Sequence, residues 1–311
     1  MVTIDLTTPP APAASFLDGL ARRLAVTLPE LRLLAELAGD APLPFDVRES
    51  ADGTTGTTGL SGRLGQSRGS VEDSAYAEAL ASLHDPADTL RRRGLVTDDG
   101  PDPGILGAVG LLATPSLALE IDVAADDTQV KAWHRHSDGA VASLSTCDGI
   151  VFELAWFPGD RWTAELARIT AVPGEVSLAT SAVPRLLDLP YSLVDSIGEA
   201  LRSGRTDLVP VLISQAGGEV RADGDPLGAA EAATAASALH TESRGRLRIL
   251  AAEVSEQTTT SVGVVSWVML LDGWHSITPR HDDDGARVAV SRVDPDDLAT
   301  ELAPVLAQVS A

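Results

Sequence analysis

The chain has 311 residues, 44% of them apolar, with 45 acidic side chains against 23 basic ones and a formal net charge of −22. That length holds one large domain or two ordinary ones, with enough apolar content for a real core. The negative charge repels phosphate backbones and anionic lipid, which argues against nucleic acid and bare membrane and favours a partner with a basic face.

From the N-terminus, Pro9, Pro10 and Pro12 predict that residues 1–14 are disordered. No basic region followed by an apolar core is present there, and no stretch approaches the ~18 apolar residues of a membrane span. A helix is expected from Leu28 to Ala38. Thr27 and Glu30 have the spacing of a capping box, Pro29 suits a first turn, Gly39 suits a C-terminal cap, and Leu31, Leu34 and Leu37 are expected on one face. Glycines at 53, 56, 59, 62 and 65 among Thr, Ser and Arg read as a flexible loop over 49–70. Helix resumes after Ser70, with Tyr76, Leu80 and Leu83 as a buried stripe. It is interrupted by Pro86 and closes on Arg91–Arg93 and Gly94. A short helix follows from Pro103 to Ala113.

The period then changes to two. Leu117, Leu119, Ile121 and Val123 alternate with polar or small residues over Ser116–Val123, which predicts a half-buried strand. Strands at 128–136, 140–146 and 150–157 follow. They are separated by Asp126–Asp127, Asp138–Gly139 and Asp148–Gly149, and an Asp–Gly pair favours a tight hairpin because its glycine accepts positive φ. A helix over Asp160–Ile169 closes this unit. The middle of the chain reads as a strand at 176–180, a helix at 183–203, a short strand at 208–214 and an alanine-rich helix at 229–238. A second meander is expected at 246–254, 262–271, 274–278 and 286–292, with a helix over Pro295–Gln308.

The two meanders are related: Glu165-Leu166-Ala167 aligns with Glu301-Leu302-Ala303, and Asp148–Gly149 with Asp284–Gly285. The expected fold is therefore α+β. A central antiparallel sheet is built from two quasi-symmetric meander–helix units within one domain over 15–311, the repeat covering about 116–170 and 246–308. A single sheet leaves fewer exposed edges than two.

Little in the sequence carries chemistry. His134 and His136 share one face of a strand, a spacing a metal site could use, but no third ligand stands nearby and solvated strand histidines are the better account. The acidic run His281–Gly285 lacks the spacing of a calcium loop and occupies a hairpin position. The only lysine, Lys131, is not in a phosphate-binding loop, and no Gly-x-Ser-x-Gly elbow occurs. Cys147, the sole cysteine, excludes an intrachain disulfide and fits a reducing compartment. It is a formal nucleophile candidate with no activating environment in view. No catalytic residue, metal or cofactor is expected. Leu186, Leu187, Leu189, Tyr191 and Leu193 form a leucine-dense stretch punctuated by prolines. Core packing explains it, and a partner-binding groove is the alternative.

Four segments in this order resemble the EspG family of proteins associated with ESX (type VII) secretion in actinobacteria. They are TLPELRLLAELAGDAPLPFDV (27–47), LRRRGLVTDDGPDPGILGAVGLLATPSLALEIDV (90–123), ELARI (165–169) and LLDGWHSITPRHDDDGARVAVSRVDPDDLATELAPVLA (270–307). The resemblance implies a cytoplasmic chaperone that binds PE–PPE heterodimers, with a central antiparallel sheet, helical bundles and quasi-twofold symmetry. It implies no active site and assigns no binding residue. The Gly/Thr loop at 49–70 departs from the family pattern. An enzyme with a dispersed site and a homodimer pairing through sheet edges remain the alternative classes.

Overall fold

The structure is a computed structural model and describes residues 22–45, 85–126, 128–172, 174, 176–216, 219–255, 259–282 and 285–307. The expectations for residues 1–14, the 49–70 loop and the helix after Ser70 lie outside these. The chain divides into two compact units. The first takes in the residues up to Ala118 together with Ala132–Trp162 and Val254–Thr258. The second takes in Leu119–Lys131, Thr163–Glu253 and the residues from Thr259 onward.

Among the described residues, the same order of elements runs through the chain twice. The first pass is β1 (Arg22–Thr27), α1 (Leu28–Leu37), α2 (Pro86–Arg92), the small hairpin β2 (Val96–Thr97) and β3 (Gly100–Pro101), and α3 (Pro103–Ala113). It continues through β4 (Leu117–Ala125), β5 (Thr128–Ser137), β6 (Ala140–Thr146), β7 (Val151–Pro158) and α4 (Trp162–Ile169). The second pass is β8 (Leu186–Pro190), α5 (Tyr191–Arg202), α6 (Val209–Gln215), β9 (Arg221–Ala222) and β10 (Asp225–Pro226), and α7 (Ala229–Thr241). It ends with β11 (Gly245–Val254), β12 (Thr259–Leu270), β13 (Gly273–Asp282), β14 (Gly285–Arg292) and α8 (Asp297–Ala307). Twelve of these strands belong to one large antiparallel sheet. The order is β1-β7-β6-β5 in the first unit and β4-β11-β12-β13-β14-β8-β9-β10 in the second.

The repetition reaches upstream of the meanders. A strand leading into the first helix pairs antiparallel with the last meander strand in both passes. In the first, Leu24 faces Leu154 and Val26 faces Phe152; in the second, Leu187 faces Val290 and Leu189 faces Val288. Both small hairpins turn on the pattern Val-x-x-Asp-Gly, at Val96–Gly100 and Val220–Gly224. Their glycines take φ of 113° and 96°, a region that an L side chain enters only with strain.

Each meander is covered on one face by its three helices. In the first unit, α1, α2 and α3 bury Ala142, Leu144, Phe152, Leu154 and Trp156. In the second, α5, α6 and α7 bury Leu187, Leu189, Val268, Leu270, Val288 and Val290. The opposite face of the second meander carries Trp267 and Trp274. Their indole N–H groups donate to Glu301 Oε2 and the Thr170 carbonyl, each at 2.8 Å.

Several elements follow the sequence reading closely. The Thr27–Glu30 capping box forms, and α3 and β6 have the expected bounds. The hairpin reading of the acidic run holds, with Asp282 paired to Gly285. Others differ. Leu37 is exposed although Leu31 and Leu34 are buried. Each step of three residues rotates the side chain by about 60° around the helix, so two steps carry Leu37 off the buried stripe. Residues 176–180 form no strand. The expected helix at 183–203 begins only at Tyr191, because Leu186–Pro190 add a strand to β14, and Pro190 takes extended geometry ahead of α5. The expected strand at 208–214 is instead α6, in which Pro210 sits harmlessly in the first turn and Val209 and Ile213, one turn apart, are buried. β1 was not legible in advance. Among the described residues, no helix is long and apolar enough to cross a membrane.

Glycine packing supplies a test of this arrangement. A Cβ on Gly245 would collide with the carbonyl oxygen of Ala124 where β11 starts beside the end of β4, whereas a Cβ on Gly110 in α3 meets nothing within 4 Å. Gly245→Ala is expected to destabilise by about 1–3 kcal/mol, and Gly110→Ala to stabilise by about 0.5–1 kcal/mol. Urea-unfolding midpoints measure both.

Candidate partner-binding groove

The leucine-dense stretch is divided by strand geometry. In β8, Leu187 and Leu189 point into the core and are fully buried, while Leu186 and Asp188 alternate away from them and are half-buried. Leu193, in the first turn of α5, joins the same core with Ile197 one turn on. Tyr191 is 48% exposed. Three of the five candidate residues thus hold the β8–α5 corner together, and Leu186 and Tyr191 remain at its surface.

Helix α5 meets α7 at close range because both offer small residues. Gly198 of α5 lies under the ring of His240 of α7, so that a Cβ there would stand 2.8 Å from Cε1. His240 Nε2 lies 3.1 Å from the Val194 carbonyl. A carbonyl can only accept, so Nε2 carries the hydrogen and ties the two helices together. Burial lowers the pKa of His240 and keeps it neutral; the Val194 carbonyl and Asp195 work against that, and Arg202 adds to it.

Where α5, α6 and α7 diverge, an open groove of about 510 Å³ remains. Leu201, Val209, Pro210, Ala233 and Ala238 line it together with Thr206, Thr234, Ser237 and Thr241, and Ala182 and Glu242 complete the lining. Glu242 is already engaged there. Its carboxylate accepts from Ser181 Oγ at 2.6 Å and from the Ala182 amide at 3.0 Å. Val211 on α6 is 50% exposed, so this helical cluster presents two large exposed side chains, Tyr191 and Val211. The sequence offered no motif for the groove. The alanine run 229–238 signalled only a helix, and Gly198 and His240 gain their meaning from each other.

The remaining candidates resolve differently. His134 is buried, not solvated, and its Nδ1 accepts a 2.8 Å hydrogen bond from Trp162 Nε1. His136 stacks on the same indole, with centroids 5.3 Å apart and planes 11° apart. Burial lowers its pKa, against the pull of Asp138. This face is an aromatic clasp between β5 and the start of α4, and among the described residues no group of three or more His, Cys, Asp and Glu side chains could hold a metal ion. Cys147 is exposed.

No family model matches the chain, and no curated protein matches it. Among solved structures, the fold is similar to one described as the Mycobacterium tuberculosis type VII secretion system chaperone EspG5 in complex with a PE25–PPE41 dimer. The similarity covers 92% of this chain and 96% of the matched one, at 10% identity and a TM-score of 0.58. The chain therefore has an EspG-like α+β fold.

The aromatic clasp yields a measurable expectation. Trp162→Phe keeps the stacking surface but leaves His134 Nδ1 without its donor in a buried site, and should cost about 1–3 kcal/mol. Trp162→Phe combined with His134→Leu should recover part of that loss in urea titrations, because the nitrogen left without its donor is then gone.

Proposed function

We propose that this protein is an EspG-type chaperone of a type VII secretion system, acting in the cytoplasm on PE–PPE-type heterodimers and catalysing no reaction. The observation that carries this reading is the likeness to the EspG5 structure over nearly the full length of both chains. The two-pass architecture is the one the sequence resemblance implied. The net charge of −22 adds a long-range preference for a basic partner face.

The partner surface in this reading is the α5–α7 cluster. Its groove offers a largely apolar lining to a protruding apolar segment of the partner, and Leu186 and Tyr191 reach the surface of the same cluster at the β8–α5 corner that Leu187, Leu189 and Leu193 fix. Burying such a segment contributes roughly 25 cal/mol per Å² of apolar area, before the cost of association. Pairing between sheet edges is a weaker basis for a partner. The terminal strand β10 is two residues long and ends in Pro226, and at the β1 end Arg93 Nη2 already donates to the Ala25 carbonyl at 2.6 Å.

Co-expression with the PE–PPE-type pairs of the same genome, followed by size-exclusion chromatography, tests the reading. A co-eluting complex is expected with at least one pair, and none with any pair would overturn it. Tyr191→Asp together with Val211→Asp should weaken that complex at least about tenfold, equivalent to about 1.4 kcal/mol. Leu37→Asp on α1, where Leu37 is similarly exposed at 45%, should leave it intact.

A further inference from the structure

The turn between β12 and β13 holds two buried polar atoms that face each other without a donor between them. His275 is fully buried. Its Nδ1 lies 3.3 Å from the Gly273 carbonyl, which can only accept, so Nδ1 carries the hydrogen and Nε2 of the neutral ring is an acceptor. Nε2 stands 3.8 Å from Oδ1 of Asp272. Neither atom has a hydrogen-bond partner, and the other carboxylate oxygen accepts from Arg292 Nη1 at 2.9 Å. A proton on Nε2 would supply the missing donor, but it would also place an imidazolium in a fully buried site.

Four neighbours bear on which effect prevails. Desolvation is the largest influence and lowers the pKa of His275. Asp272 and then the Gly273 carbonyl raise it, Arg292 lowers it, and Glu242 raises it from the end of α7. Because desolvation prevails, the ring takes its proton more readily in water than in the closed turn.

The turn also anchors a neighbouring segment. Residues 177–183 cross this edge of the second unit without regular structure. The Ala179 amide donates to the Leu271 carbonyl at 2.7 Å, and Arg244 Nη1 donates to the Ser177 carbonyl at 2.8 Å. Glu242 holds Ser181 and Ala182, and Ala182 and Glu242 both line the groove.

We propose that His275 and Asp272 form a proton-operated latch, in which uptake of one proton at Nε2 favours opening of the β12–β13 turn and release of the strap at 177–183. One proton comes from solvent and no bond other than hydrogen bonds changes. The closed state binds this proton more weakly than the open one. Above the ordinary imidazole value of about 6.5 both states are neutral and the latch is shut. As the pH falls from there towards the closed-state value, only the open state is protonated, and closure weakens by up to about tenfold per pH unit.

Amide hydrogen exchange on the full chain, followed by NMR and corrected for intrinsic rates, tests the latch without any partner. Its outcome is therefore separate from that of the co-expression experiment. Protection of the Ala179 amide is expected to fall more than about threefold between pH of about 7 and about 5.5. His275→Gln should abolish that dependence. Asp272→Asn should keep it and extend it to lower pH, because the closed state then takes the proton still less readily. Protection that does not change with pH, or that changes equally in His275→Gln, would sink the proposal. A ¹⁵N titration of His275 in the unaltered chain gives a second reading that no variant's folding can confound. It should show the Nδ1–H tautomer near neutrality and protonation below the ordinary value, and a neutral Nε2–H ring would overturn the latch.

Discussion

A strand buried on both faces needs cover twice, and the second meander shows how that need organises the chain. Along β12, Val268 and Leu270 face α5, α6 and α7, while Trp267 and Met269 turn the other way and are equally buried. Successive side chains of a strand point to opposite faces, so one layer of helices cannot serve both. Three helices placed before the meander cover one side. The helix after it covers the other, with Glu301 of α8 accepting from Trp267. The first pass obeys the same rule: Ala142 and Leu144 lie under α1–α3, and Val141 and Phe157 are buried on the other side. Among the described residues, the order strand, three helices, four strands, helix thus covers both faces of one meander.

The parts of this fold that showed in the sequence are those fixed by local chemistry. Asp138–Gly139 takes positive φ at both residues, and Gly273 and Gly285 take it at the ends of β13 and β14. Few residues other than glycine, asparagine and aspartate tolerate that geometry, so the turns show as residue types. The strand bounds follow from the turns. Where the local signal was weak, packing decided. Val209–Gln215 is rich in β-branched residues and suits a strand by propensity, yet it forms a helix because Val209 and Ile213 one turn apart meet the core. β1 and β8 are short and carry few alternations, and they exist because the outer edges of β7 and β14 would otherwise be unpaired.

The groove was less legible for a different reason. It is defined by what is missing between helices, and no residue type announces a gap. Tyr191 lay in the stretch singled out from the sequence and does reach the surface, but Leu187, Leu189 and Leu193 of that stretch form the wall behind it. Gly198 and His240, forty-two residues apart, bring α5 and α7 close beside it. Similarly, His134 and His136 could be read from spacing as a pair, but the group they serve, Trp162, comes from beyond the meander.

Comparing the two passes shows where they have parted in chemistry. Matching the paired strands, Leu24, Leu154 and Leu144 with Leu187, Val290 and Ile277, places Ala142 opposite His275. Ala142 is fully buried and apolar, and in the second pass the same place on the strand after the turn holds an imidazole with an unpaired nitrogen. An apolar residue there suffices for the fold, as the first pass demonstrates, so packing does not require the polar group. A buried histidine facing an unpaired carboxylate oxygen lowers stability relative to an apolar residue of similar size. Its place, one turn from the strap that ends at the groove, gives that loss a use: the second pass can respond to protons at a position where the first cannot.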